Sequence, residues 1–557
     1  MVVETKYFLL GEEHTAQEWA SIVATLAQGK RAGEKTVEQV YLDTFDWALC
    51  QKDMYLVAEK ADDLSLRLFC DGKTPKFPVT LPVATIPVWP ADLPAGKMKK
   101  ALAKTVGLRA FLELTQVKSE QIQVSVEDKK GRERVRMTVE VNFQRTAPRR
   151  KMAELGCRLR VECLAGYEKD FAKTLPVFAG LTKTTQYAFF ETLMTNINKT
   201  PKDYTSKLDL SLDRDMRSDQ ALKDILLDQV GQIERNLDGT LENIDSEFLH
   251  DLRVAVRRSR SALSRMKGVL PQTVEDKFAQ ELAWVGTVTT PVRDLDVYLL
   301  DYPKYCKQLR SDLQGDLEAL HDFLMVKHKE ARLQLVEDLT SKRFKDFMAK
   351  WRAFLKRPVP ARPTAPNAAL AIGELADKRI WKSYRKVIGE GRVIGDDTPA
   401  QALHDLRKTC KKLRYLLEFF ASLYPEDKVA ALVKALKGLQ ENLGDFQDLD
   451  VQAETLHSYS EQMLASGISD PKVFLAMGVL VEKFMARKVV VRAEFAERFK
   501  SFSSKKIEKE FRDLVKQERK KVVAHAVLDS EEGLVENEAG PQVDDDAQSD
   551  GGVENGD

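Results

Sequence analysis

The eleven residues HDLRVAVRRSR at His250–Arg260 reappear as HDLRKTCKKLR at His404–Arg414, 154 residues later. The same offset carries Pro271 onto Pro425 and the tetrapeptide DLDV at 294–297 onto DLDV at 448–451, with no insertion between the matched points. A duplication explains this register far better than chance, so one helical unit is expected twice in the chain.

Each motif should open a long helix. Asp245 is the expected N-cap of the first, and Thr398 with Pro399 the expected N-cap and first helical residue of the second. The helices have to end before Pro271 and Pro425. At about 100° per residue, with Arg253 at zero, Arg257 falls near +40°, Arg260 near −20° and His250 near +60°. His404, Arg407, Lys411 and Arg414 take the same four angles in the second copy. Two equivalent stripes of polar and cationic side chains follow.

No acidic residue lies between Leu252 and Val274, whereas exposed helices usually interleave Glu with Lys or Arg so that neighbours at i, i+4 attract. A basic run on a helix is most often a solvated face, but a solvated face would drift between copies, and both copies keep His, Asp, Leu, Arg and the later Arg. A dense polyanion would offset the repulsion, with phosphate oxygens suited to Arg forks and histidine adding a neutral donor or a second cation. Asp294, Asp296, Asp448 and Asp450 of the DLDV segments are expected to orient cations by ion pairs. Further basic stretches, at Lys378, Arg379, Lys382, Arg385 and Lys386 and at Arg487, Lys488 and Arg492, either extend the charged surface or are ordinary exposed faces, the second reading being favoured.

At 557 residues the chain has room for several folding units. Short alternating segments fill the region to about residue 195: Val2–Leu10, Val37–Thr44, Leu64–Cys70, Gln121–Asp128, Val135–Phe143 and Cys157–Leu164. They read as strands, with helices at Ala16–Gln28 and Tyr167–Leu175, and Pro75–Pro94 as loop or edge strand. The division expected is an antiparallel α+β domain over 1–195, a polar linker over 196–212, an all-helical domain over 213–525 and a disordered acidic tail over 526–557. Eleven carboxylates follow Lys521, so the formal charge of +1 conceals a body of +12, whose partner should be anionic. The tail itself is expected to solubilise rather than to occupy the basic stripes.

Six scattered cysteines show no metal-ligand spacing, so neither a zinc site nor any other cofactor is expected. Charges at Glu4 and Lys6 interrupt any signal-like start, and no apolar run approaches the ~20 residues that cross a bilayer. A cytoplasmic protein with reduced thiols and no membrane partner is the expectation.

The repeated H-x-L-R-x-x-x-[RK]-[RK]-x-R pattern, with VRDLDV at 292–297, LGDFQDLDV at 443–451 and LRYLLEFF at 413–420, resembles the CHAD family, the conserved-histidine α-helical domain. The resemblance implies two pseudo-symmetric four-helix bundles whose basic stripes line a groove or pore that binds inorganic polyphosphate. The implied ligand residues are His250, Arg253, Arg257, Arg260, His404, Arg407, Lys411 and Arg414, and the implied address is the polyphosphate granule.

The N-terminal pieces VETKYFLL, YLDTFDWALCQKDMYL and CRLRVECLAGYEKDF resemble a degenerate CYTH domain, the antiparallel, β-barrel-like triphosphate-tunnel fold. Its E-x-E-x-K start is matched by Val2, Glu4 and Lys6. Its L-R-x-R strand becomes Leu56–Glu59, and its late acidic strand becomes Arg158–Glu162. Glu4, Lys6 and Glu162 are the residual positions of a site that otherwise holds Mg²⁺ or Mn²⁺, so no metal and no catalytic residue is expected. A non-catalytic barrel is expected, which supports the neighbouring helices or adds a basic contact surface through Arg67, Arg158 and Arg160. The alternative function is a metal-dependent inorganic triphosphatase. Nucleic acid is a weaker candidate partner, because single-strand readers add aromatic platforms and no aromatic residue lies between Leu252 and Val274.

Overall fold

The computed structural model describes residues 2–71, 80–147, 151–208 and 210–515. The expected tail over 526–557, the last residues assigned to the helical domain and part of the proline-rich segment lie outside the described residues. The chain divides into two units, Met1–Asp209 with Val230–Val256, and Leu210–Gln229 with Arg257–Asp557.

In the first unit the expected strands form, several of them longer than their alternation alone suggests. They are β1 (Val2–Leu10), β2 (Lys30–Asp43), β3 (Met54–Lys60), β4 (Leu64–Cys70), β5 (Thr80–Pro82), β6 (Leu112–Glu127), β7 (Glu133–Arg145), β8 (Ala153–Leu164) and β9 (Thr182–Thr184). They build one nine-stranded sheet in the order β5-β4-β3-β2-β6-β7-β8-β1-β9, with antiparallel pairing throughout. The proline-rich segment supplies the edge strand β5, where a missing N–H does no harm.

The sheet is curled. β4 and β8 lie five steps apart, roughly 24 Å in a flat sheet at ~4.8 Å per strand, yet Arg67 of β4 forms an ion pair with Glu162 of β8. The outer face is apolar and covered by helices. Trp19, Ala20 and Val23 of α1 (Ala16–Leu26) and Phe171 of α3 (Glu168–Thr174) pack on Phe8, Val124, Met137, Val139, Leu159 and Val161. Met98, Leu102 and Val106 of α2 (Lys97–Val106) cover Leu56, Leu66 and Leu68. Phe190, Leu193 and Met194 of α4 (Gln186–Thr195) instead pack on Tyr41, Tyr55, Val57 and Phe69, which project to the inner face, so this helix plugs the concavity.

The helices that follow are α5 (Ser218–Glu242), α6 (Ser246–Arg265), α7 (Gln272–Val288), α8 (Thr290–Gln308), α9 (Glu318–Thr340), α10 (Lys342–Lys356), α11 (Ile372–Arg392), α12 (Ala400–Phe419), α13 (Glu426–Ala465) and α14 (Pro471–Phe502). The starts of α11, α12 and α13 each lie 154 residues after those of α5, α6 and α7. The break between α7 and α8 is healed in the second copy, where α13 runs through 40 residues. Both helices carrying the HDLR motif stop before their proline, as expected.

Asp245 caps α6, accepting from the backbone N–H of Glu247 at 2.9 Å and Phe248 at 3.2 Å. Thr398 does not cap α12. Pro399 holds the N-cap position, and the Thr398 hydroxyl accepts from the Gly395 N–H at 2.9 Å instead. The expected cap was one residue early because the preceding turn captures the hydroxyl.

Pseudo-twofold symmetry is written into the backbone of the second unit. Ser218 N–H donates to Leu370 C=O at 2.9 Å, and the equivalent Ile372 N–H donates to Met216 C=O at 2.8 Å. Asp219 to Ala368 at 3.1 Å and Gly373 to Arg214 at 2.9 Å form a second reciprocal couple. Arg217 and Ala371, 154 residues apart, form the bridge between them. Tyr298 Oη likewise donates to the carbonyl of its own equivalent, Gln452, at 2.9 Å. Residues that touch their own counterparts must lie on the axis relating the copies. Around it α8, α9, α13 and α14 share one core through Leu295, Phe323, Leu324, Leu456, Met463, Met477 and Leu480.

Candidate functional site

Four of the eight stripe residues sit on α6 and four on α12. His250 and Arg253 occupy the part of α6 that belongs to the first unit, both half-buried, and the other six belong to the second. There the two helices meet. Arg257 Nε donates to Tyr415 Oη at 2.7 Å, and Arg257 acts electrostatically on Lys411. Since Lys411 is the repeat counterpart of Arg257, equivalent cations of the two copies lie within electrostatic reach of each other.

Three further cations are placed by specific neighbours. Arg407 donates through Nη1 to Gln447 Oε1 at 3.2 Å and through Nη2 to Asp448 at 3.0 Å, and its guanidinium lies over Gly444. The Arg260 guanidinium lies over Gly286, where a methyl group would come within 3.3 Å of Nη1. Arg414 is paired with Glu418 at 2.6 Å, and Glu418 also reaches Arg258 at 3.8 Å. Arg414 is therefore largely neutralised. Among the described residues no carboxylate pairs with Arg257, Arg260 or Lys411.

Burial, then the adjacent Arg407 and Arg257, push the Lys411 ammonium down to about 8, with Asp448 opposing them. The largest part of this shift is the cost of burying an ammonium, and the neighbouring guanidinium groups add to it. Two of the DLDV aspartates pair with cations, Asp448 with Arg407 and Asp450 with Lys488, and Asp296 bonds His328 Nε2 at 2.8 Å. Tyr415, Gln447 and Glu418 were not among the expected site residues. Only Glu418 carried a signal, its i+4 spacing from Arg414.

The inner face of the first unit is built differently. The strand register puts Thr5, Tyr7, Glu59, Arg67, Glu140, Arg158, Arg160 and Glu162 on that face. Glu140 is paired with Arg158 at 2.7 Å and Arg160 at 3.1 Å, and Arg67 with Glu162 and, at 3.8 Å, with Glu59. The Arg158 guanidinium stacks 3.8 Å from the Phe189 ring of the plugging helix. Burial alone would raise the Glu162 carboxyl, but Arg67, Arg160 and Arg136 outweigh it and hold it down to about 2.

Two expectations are corrected here. Arg158 and Arg160 are 3% and 2% exposed and ion-paired, so with Arg67 they form a buried network and not a contact surface. The residual trio is split: Glu4 pairs opposite Cys163 and Lys6 opposite Val161, on the outer face, where they bond to each other at 2.9 Å, whereas Glu162 points inward. The inward positions of β1 are Thr5 and Tyr7, one residue off the expected alignment. A divalent cation does not fit this interior, because each inward carboxylate of the network is already neutralised by guanidinium groups.

A duplicated helical domain whose two copies bring equivalent cationic helices together is the class that the fold and this site define. Residues 224–457 match the family model of the CHAD domain. Among solved structures, the CHAD domain from the plant Ricinus communis is 26% identical, with 52% of this chain and 94% of that one covered and a TM-score of 0.44. PptA from Streptomyces chartreusis is 18% identical, covering 51% and 100%, with a TM-score of 0.41. A putative adenylyl cyclase from Hippeastrum, described as having a dominant triphosphatase activity, is 12% identical, covering 37% and 100%, with a TM-score of 0.23. None of the curated proteins compared matches the chain. No helix among the described residues is long and apolar enough to cross a membrane.

Proposed function

We propose that this protein binds inorganic polyphosphate along the cationic faces of α6 and α12. The observation that carries the reading is the meeting of repeat-equivalent cations, Arg257 and Lys411, beside the oriented Arg407. Like charges brought together and partly desolvated are destabilising, and a chain of phosphates supplies the missing negative charge with oxygens that suit both Arg forks and a Lys point charge. Arg260 and His404 extend the row, His250 and Arg253 continue the same stripe along α6, and Arg414 contributes least because Glu418 holds it. Binding of this kind would place the protein on polyphosphate granules.

The test is a binding isotherm with long-chain polyphosphate. Arg253→Ala combined with Arg407→Ala should weaken affinity by about a hundredfold or more, on charge-assisted hydrogen bonds of roughly 1.5–3 kcal/mol each, with helix content by circular dichroism unchanged. A correctly folded double variant that keeps full affinity removes the assignment. Competition by RNA or DNA at matched salt separates polyphosphate from a generic phosphate backbone. The metal-dependent triphosphatase alternative is disfavoured by the inward guanidinium groups of β4 and β8.

A further inference from the structure

The stripes on α6 and α12 are duplicated, but a second group of cations is not. Along α11, Lys378, Lys382 and Lys386 recur every four residues with Arg385 beside them, all exposed. Their spacing makes each lysine the i+4 neighbour of the next, the arrangement in which like charges repel along a helix. The equivalents on α5 are Asp224, Asp228, Gln232 and Gly231. The row therefore belongs to the second repeat alone, spanning about 12 Å at 1.5 Å per residue.

Two neighbouring cavities open along this row. One, of about 690 Å³, is lined by Lys378, Arg379 and Lys382 with Arg214. The other, of about 740 Å³, is lined by Lys378, Trp381, Lys382, Arg385, Lys386 and Arg512. Arg379 is half-buried, its Nη2 donates to the Lys267 carbonyl at 3.1 Å, and its buried Nε has no partner. Arg265 and Lys412 come in from α6 and α12, and both are pushed down by burial first, then by Arg379 in one case and by Arg265 and Lys386 in the other. The nearby counter-charges are partly engaged, and Glu508 pairs with Arg512 at 2.6 Å. Asp377 is held by Arg214 at 2.9 Å and Tyr424 at 2.7 Å, and Glu390 pairs with Lys386 at 3.5 Å. Glu374 and Asp215 border the first cavity.

We propose that α11 and its two cavities form a second contact site for a phosphate chain, so that a domain twofold in its backbone is one-sided in how it holds its ligand. This rests on the polyphosphate reading above and adds to it where the chain runs beyond the duplicated stripes. Longer chains reach α11, whereas tripolyphosphate is short enough to occupy the stripes alone.

The test uses the full chain with Lys378→Gln, Lys382→Gln and Lys386→Gln combined, and as control a variant losing three lysines elsewhere, Lys304→Gln, Lys342→Gln and Lys350→Gln. Affinity for long-chain polyphosphate should fall about tenfold or more in the α11 variant and its log–log salt slope should drop by about 3, one for each lost phosphate contact. Tripolyphosphate affinity and the control variant should be little changed. If wild-type protein binds long chains but the α11 variant keeps both affinity and slope, or the control loses as much, α11 is an ordinary solvated face and the stripe reading survives. If wild-type protein binds no polyphosphate, both readings fall.

Discussion

At the scale of single residues, Lys411 couples function to stability. Its ammonium is held near 8 in the folded chain against an ordinary 10.5, so folding is penalised at neutral pH and that penalty is relieved as pH rises from about 8 towards 10.5. A bound anion favours the charged form. Polyphosphate affinity should therefore weaken as pH climbs through 8, and calorimetry at pH 7 and pH 9 should show the difference, reduced in Lys411→Met. The same substitution should raise the melting temperature while lowering affinity, the usual trade at a site built for a ligand. On the inner face of the sheet the sign is opposite. Glu162 is depressed below its ordinary 4.5, so its contribution is present above that value and is lost as pH falls towards 2. Glu140→Gln leaves Arg158 and Arg160 buried against a neutral amide, and should destabilise the first unit by about 3–5 kcal/mol in a denaturant titration.

At the scale of elements, helix starts follow the duplication faithfully and helix lengths do not. The 40-residue α13 replaces a broken pair in the first copy, where Thr289 and Pro291 interrupt the run. Close helix packing is enforced at Gly391 of α11, where an added Cβ would fall 2.0 Å from the Phe499 ring of α14. Gly391→Ala should gain up to ~1 kcal/mol of helix propensity yet lose more through overpacking, typically ~1–3 kcal/mol. Thermal unfolding should register a net loss. A net gain would mean that Phe499 swings away without penalty.

At the scale of the whole molecule, the first unit is a curled nine-stranded antiparallel sheet whose inner face carries a network of ion pairs. Guanidinium groups neutralise the inward carboxylates of the network, and α4 fills part of the concavity with Phe189 and Phe190. Incubation with tripolyphosphate and Mg²⁺ or Mn²⁺ should release phosphate at the buffer rate only. Robust metal-dependent release would overturn this account of the interior.

The duplication, the basic stripes and most of the strands were all legible in the amino-acid order, because periodicity and repetition are properties of a line of residues. The α+β and all-helical division followed from the same source. Which face of β1 turns inward was not legible, since a shift of one residue exchanges every side chain between faces and only pairing with β8 fixes it. Nor could sequence show that Arg158 and Arg160 are buried, that Glu418 silences Arg414, or that Arg257 lies within electrostatic reach of Lys411. Those depend on groups far apart in the chain being brought within a few ångströms, where charge interactions become strong enough to decide what a side chain does.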